Sequence, residues 1–199
     1  MAELANAIAV PTPGVERLLD DAPAWQEAPE TRRHARERRV ARDLVELSRL
    51  QSGGEQAECA PLDLATLLRA ICADYQGLQI EGPHNVPVST DARRFARVLG
   101  ALLENAYLHG APPVSVSYDA TEIVISDSGP GLAPGLLARV TEPFVTGERA
   151  RGRGVGLGLA IAARQAALLD AELQVSNALG GGAVARIRFA DGAPPPARA

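Results

Sequence analysis

Between Thr31 and Ser52 the apolar positions Val40, Leu44 and Leu47 repeat at 0, +4 and +7, with Leu50 at the edge of the stripe. That spacing predicts an amphipathic helix, and the glycine pair at 53–54 predicts its end. Upstream, Leu4 and Ile8 share a helical face. Val15, Leu18 and Leu19 continue the apolar content after "PTPG" at 11–14, where prolines and a glycine kink or end a helix. "DAPAWQEAP" at 21–29 reads as a loop. Residues 1–56 are therefore expected to form a short antiparallel helical hairpin. Two such helices cannot bury both apolar faces alone, so pairing with another copy or another domain is expected.

From Cys59 onward the period changes repeatedly. "APLDL" predicts a short strand running into a helix over 65–75, and "LQIEG" (78–82) and "VPVST" (86–90) are strand candidates around a turn. Asp91 is placed to cap a helix reaching about His109, with Phe95, Val98, Leu99, Leu102, Leu103 and Ala106 on its buried face. "VSVSY" (114–118) and "EIVIS" (122–126) flank "DAT" and predict a hairpin. A long Gly/Pro/Arg-rich stretch precedes a helix expected from about Val155 to Leu169. Strands at 172–176 and 183–189 close the pattern, and residues 192–199 are expected to be a disordered tail. Helices mixed with hairpins predict an α+β fold over 57–191, one mixed sheet with helices on one face.

Composition adds exclusions. Apolar residues make up 46% and charged residues 22%, which is globular, and aromatics at 4% leave the core to aliphatic side chains and alanine. A net charge of −4 argues against nucleic-acid binding, and "RRHARERRVAR" (32–42) is interrupted by Glu37 and spread around a helix. Cys59 and Cys72 form no metal-ligand spacing. With neither a signal peptide nor an apolar run of about 18 residues, the chain is expected to be cytoplasmic, without membrane contact of its own, while a longer parent could carry a membrane sensor.

Three stretches could carry chemistry. Asn105, beside the core stripe of its helix, is either a polar residue at a surface edge or an oxygen donor to a Mg²⁺ that holds nucleotide phosphates. Asp127 follows an apolar strand and precedes Gly129 and Gly131. It is either turn chemistry or an acceptor for an exocyclic amine, with bare backbone beside a flat base. In "RGRGVGLGLA" (151–160), Gly154, Gly156 and Gly158 open a helix, where exposed N–H groups favour anions. Arg149, Arg151 and Arg153 stand just upstream, within reach of phosphate oxygens. A flexible hinge is the other reading, and the dinucleotide fingerprint is excluded because no strand feeds the glycines.

The order helix Asn, strand–"DSGPG", "EPF" (142–144), "GVGLGLAI" resembles the ATP-binding catalytic domain of sensor histidine kinases, of the superfamily that includes type II topoisomerases, Hsp90 and MutL. The resemblance runs almost continuously from 59 to 190. It implies a two-layer α/β sandwich that binds ATP and Mg²⁺ under a lid at about 133–153. Carried over by residue, it implies Asn105 as the Mg²⁺ ligand, Asp127 as the adenine-binding carboxylate and Gly129 and Gly131 as shapers of the base pocket. Phe144 would be the aromatic beside the lid, His109 a neighbour of the nucleotide, and Gly154, Gly156, Leu157 and Gly158 the phosphate-side glycine box. "LVELSRLQSG" (44–53) resembles the end of the dimerisation helix pair, implying a homodimer and a response regulator receiver domain as partner.

The departures are chemical. In the family the first helix opens His-Glu-Leu-Arg-Thr-Pro-Leu; here "AELANAI" puts Ala2 at the phosphoacceptor, Ala5 at the Arg, Asn6 at the Thr and Ala7 at the Pro. A methyl group has no lone pair, so self-phosphorylation at that position is not expected. The chain is then expected to be a fragment or altered form of a working kinase, a relative that phosphorylates a separate His-bearing partner, or a non-catalytic, ATP-gated or phosphatase-type regulator. Glu3 and Asn6, three residues apart on one face, resemble the pair that positions water for dephosphorylation of a regulator, and equally read as plain surface polarity. His34, in the charged run, is expected in solvent, and His84 lies in a turn. Ala101 and Leu108 replace a commonly polar and a frequently basic position around Asn105.

Overall fold

The computed structural model describes residues 29–147 and 155–189. Helix α1, Pro29–Ser52, ends where Gly53 adopts a left-handed φ of 71°. Then follow β1 (Ala60–Asp63), α2 (Leu64–Cys72), β2 (Gln79–Glu81), β3 (Pro87–Thr90) and α3 (Ala92–His109). The chain continues through β4 (Ser115–Tyr118), β5 (Glu122–Ser126), a single-turn α4 (Pro134–Leu137), α5 (Gly158–Leu168), β6 (Ala171–Asn177) and β7 (Ala183–Phe189). The α+β architecture is as expected. The first helix of the predicted hairpin, the residues at 2–8 and the tail lie outside the described residues.

Side-chain acceptors set the helix starts. Asp91 accepts from the N–H groups of Arg93 and Arg94 at 3.0 and 3.1 Å, satisfying donors that the helix leaves orphaned, and takes a third bond from Glu58 N–H. Asp63 caps α2 through Thr66 and also accepts from Val86 N–H at 2.8 Å, tying the entrance of β3 to the end of β1. Burial works to raise the Asp63 pKa, but the bonds from Thr66 and Val86 outweigh it and hold the carboxyl below its ordinary value.

The principal sheet runs β2-β4-β5-β7-β6, antiparallel except for the parallel β2–β4 pair. Strand β3 instead pairs antiparallel with β1 in a separate two-stranded sheet. The single sheet expected from the sequence is thus corrected to two: the strands at 79–81 and 87–90, neighbours along the chain, take partners in different sheets. Alternation marks a strand but carries no information about its neighbour.

All six residues predicted on the buried face of α3 are buried, joined by Ala101, and they pack on Val116, Ile123, Ile125 and Ile187 of the sheet. Ala162 and Ala166 let α5 lie close beside α3. The other sheet face is polar: Ser115 and Ser126 hydroxyls meet at 2.8 Å and Arg188 pairs with Glu122.

Of the apolar stripe of α1, Leu44 is 43% exposed in the single chain, as is Val45 beside it at 53%, while Leu47 is buried with Leu157 and Ile161. The docked face of α1 is instead half ionic: Asp43 and Glu46 both bind Arg97 of α3, and Glu46 also accepts from Gln165 of α5. A pattern that scores only apolar residues misses a face held by charge. Helix α5 begins at Gly158 rather than at Val155, because Gly156 takes a φ of 74°, incompatible with a right-handed helix.

Candidate functional site

A cleft of about 420 Å³ opens between the C-terminal half of α3, the end of β5, the segment 130–147, the start of α5 and the flank of α1. That volume suits a drug-sized or nucleotide-sized ligand. The fold brings Asn105, His109, Asp127, Gly131, Gly156, Leu157 and Gly158 to its lining. Helical spacing aligns Ala101, Asn105 and Leu108 on one side of α3, and the same wall carries Arg97, Glu104 and His109.

Asp127 sits one residue beyond β5 and is 8% exposed. Its N–H extends the sheet by donating to Ala183 O at 3.1 Å, and its Oδ1 accepts from Gly129 N–H at 2.7 Å. Backbone crowds the carboxylate from several sides. A Cβ on Gly110 would stand 2.4 Å from Asp127 Cγ, and one on Gly129 would stand 2.8 Å from Oδ1. A Cβ on Gly182 would fall 1.8 Å from Asp127 O. Glycine is required here by close approach, and the buried carboxylate retains acceptor capacity toward the cleft. Gly129 therefore acts by admitting Asp127 rather than by lining the cleft itself.

Asn177, at the end of β6, is a site-building residue that the sequence reading missed. Its Oδ1 accepts from Leu132 N–H and its Nδ2 donates to Leu132 O, both at 2.8 Å, clamping the loop after Gly131. An Asn between a strand and a glycine turn was a visible signal, but its partner 45 residues away was not.

At the opposite end, Gly156 accepts from Phe144 N–H at 2.9 Å, and a Cβ there would strike Val145 O at 2.5 Å. The left-handed turn thus lays 144–146 against the approach to α5. Phe144, expected beside the lid, has a φ of 64°, is 60% exposed and does not line the cleft. Leu157 buries its side chain on Leu47 and Ile161. A Cβ on Gly158 would meet nothing, so the protein's own packing leaves that space open at the first turn of α5. Arg149, Arg151, Arg153 and Gly154 lie outside the described residues, as do Ala2, Glu3 and Asn6.

Helix α1 contributes Arg39, Val40 and Asp43 to the lining, and α3 contributes Arg97 and Glu104; the sequence reading assigned none of them to the site. Arg39 pairs with Glu104, and Arg97 Nε lies 2.9 Å from Glu46. His34 is exposed and away from the cleft, and His84 Nδ1 lies 3.3 Å from Arg69 Nη2. Among the described residues no group of three or more His, Cys, Asp or Glu could hold a metal ion. Asn105 alone offers the cleft a neutral amide oxygen from α3, the kind of hard donor that would fit a cation bringing its other oxygens with it.

Comparison with known proteins bears on this geometry. Residues 90–192 match the family described as histidine kinase-, DNA gyrase B-, and HSP90-like ATPase. The chain is 35% identical over 185 residues to the sensor protein CseC of Streptomyces avermitilis, covering 92% of this chain and 38% of that protein. It spans about a third of the length of the curated relatives it matches. Among solved structures, full-length ShkA in complex with AMPPNP superposes with a TM-score of 0.65 at 27% identity, covering 81% of this chain and 36% of ShkA. The histidine kinase AdeS of Acinetobacter baumannii shares the fold, with a TM-score of 0.63 at 22% identity over 88% of this chain and 92% of AdeS. No helix among the described residues is long and apolar enough to cross a membrane. With its ordered motifs, its sheet-and-helix layer and its cleft, the chain belongs to the histidine kinase-, DNA gyrase B- and HSP90-like ATPases and carries a sensor-histidine-kinase type of catalytic core.

Proposed function

We propose that the chain binds ATP with Mg²⁺ in the cleft and serves a two-component system by phosphoryl transfer to a protein histidine and onward to the receiver domain of a response regulator. The observation that carries this reading is the carboxylate of Asp127, buried in a bed of glycine backbone and facing a cleft that Asn105 and the open first turn of α5 also line. In this reading Asp127 accepts from the exocyclic amine of adenine, Gly129 leaves room for that carboxylate and Gly131 admits the base. Asn105 supplies an amide oxygen to the metal, and the N–H groups of Gly156, Leu157 and Gly158 face the phosphates, with Arg149, Arg151, Arg153 and Gly154 following them. Mg²⁺, when bound, supplies neutralisation of charge on the β- and γ-phosphates. An imidazole nitrogen of the acceptor histidine bonds to the γ-phosphorus as the bond to the bridging oxygen breaks and ADP leaves. Little else is asked of the protein than position and charge.

With Ala2 at the aligned acceptor position, the histidine belongs to a partner protein. Residues 1–56 and 57–191 act as a helical dimerisation arm and a catalytic unit on the cytoplasmic side, with Glu3 and Asn6 as the candidate dephosphorylation pair. A second reading, an ATP-gated regulator without chemistry, is favoured by one observation: Ala101 and Leu108 put apolar side chains one helical turn to either side of Asn105.

Calorimetric titration with Mg²⁺–ATP tests the site. Asp127→Asn should weaken binding roughly 10- to 100-fold, the equivalent of about 1.5–3 kcal/mol for a charged hydrogen bond. Unchanged affinity would sink the assignment. Labelled γ-phosphate recovered on a histidine protein supplied in trans separates the kinase from the silent regulator.

A further inference from the structure

The wall where α1 meets α3 is a reciprocal set of ion pairs. Arg39 of α1 holds Glu104 of α3, while Arg97 of α3 holds Asp43 and Glu46 of α1. Arg39, Asp43, Arg97 and Glu104 all line the cleft, and Glu104 adjoins Asn105 in sequence.

The two arginines are not equivalent. Arg97 is gripped by two carboxylates of one helix, one at each end of its guanidinium. Arg39 is paired with Glu104 of α3, and both partners keep about three-tenths of their side-chain surface in contact with solvent, 31% and 27%. A partly wet carboxylate regains its water when it loses its partner, so exchange at Arg39 costs less than exchange at Arg97. Burial also pushes the Arg39 guanidinium down from its ordinary value, the nearby Arg97 and Arg42 adding to the effect against the raising influence of Asp43. That guanidinium still carries its charge and suits the fork geometry of phosphate oxygens. Between Arg97 and His109, the residues of α3 that line the cleft include no lysine or arginine.

We propose that Arg39, on the helical arm, is a ligand for the phosphate chain of the nucleotide, exchanging Glu104 for phosphate oxygens when Mg²⁺–ATP binds. This rests on the nucleotide reading of the cleft and adds a residue from outside the catalytic layer. The bound phosphates then bridge α1 and α3, so nucleotide occupancy favours the docked arm, with Leu47 seated on Leu157. Glu104 acts as the resident anion that keeps Arg39 aimed into the cleft before nucleotide binds.

The test is the ratio of affinities for Mg²⁺–ATP and for adenosine, measured by calorimetry on the full chain. Loss of a charged phosphate contact in Arg39→Ala should weaken ATP roughly 10-fold or more while adenosine stays within about twofold. Arg39→Lys, which retains the charge and the aliphatic stem but not the fork, should fall between the wild type and alanine and serves if the alanine variant folds poorly. Glu104→Gln should strengthen ATP relative to adenosine. An unchanged ratio in Arg39→Ala and Arg39→Lys overturns the proposal, as does equal weakening of both ligands, which makes Arg39 a structural clamp. A wild-type chain that binds neither ligand takes down the nucleotide reading itself. One that binds both, with a ratio indifferent to Arg39, removes this inference alone.

Discussion

The two ends of the cleft are built from different materials. Around Asp127 the walls are backbone, with Gly110, Gly129 and Gly182 in van der Waals contact and the carboxylate pinned by Gly129 N–H. Toward α1 the walls are long side chains, Arg39, Glu104, Arg97 and Asp43, that cross between two helices. Steric fit to backbone admits one arrangement, because packed interiors do not deform continuously. An ion pair such as Arg39–Glu104, with about three-tenths of each side chain in solvent, admits exchange of partners at small cost. A site that must hold a rigid group at one end and respond to charge at the other is served by that division.

Substitutions can break each end separately. The largest effect should come from Gly182→Ala, since Gly182 has a φ of 93° and its Cβ would overlap Asp127 O. A loss on the order of 3 kcal/mol in denaturant-derived stability is expected from strain and overpacking together, with loss of adenosine binding. Leu47→Ala should come next, costing about 2 kcal/mol for a truncated buried leucine, because Leu47 seats α1 on Leu157 and Ile161. Hydrogen exchange should rise in α1 and around 155–158 while α3 stays protected, and exchange rising equally throughout would show that the two ends are one cooperative unit.

Arg97→Ala should cost about 1 kcal/mol, a typical figure for a partly exposed ion network, and the deficit should shrink as salt screens the remaining charges. A deficit indifferent to salt would assign the interface to packing alone. The cap at Asp63 lies away from both ends and calibrates them. Its folded pKa is depressed, so its contribution is fully present above the unfolded carboxylate value and is lost as pH falls through the lower folded one. Asp63→Ala should therefore destabilise by about 1 kcal/mol near neutrality, with the difference from wild type fading in acid. The smallest effect belongs to Leu44→Ser, within about 0.5 kcal/mol for the exposed face of a single chain. A concentration-dependent loss of stability in that variant would instead mark this face as covered by a second copy.

Local chemistry was legible along the chain. The stripe of α3, the cap at Asp91, the hairpin at 115–126 and the cleft-lining Asn105, Asp127, Gly131 and Gly156 could be read from periodicity, turn residues and motif order. Each depends on neighbours within a few residues, so each is written in adjacent letters. The tertiary structure alone decided the rest. Strand β2 took β4 and strand β3 took β1, although the two strands are neighbours in sequence. Asn177 found Leu132 and Arg39 found Glu104 across the fold. Phe144 turned out of the cleft with Gly156 holding its N–H. Hydrogen bonds and ion pairs select partners by distance in space, and no spacing along the chain encodes which carboxylate or carbonyl will stand opposite once the helices have docked.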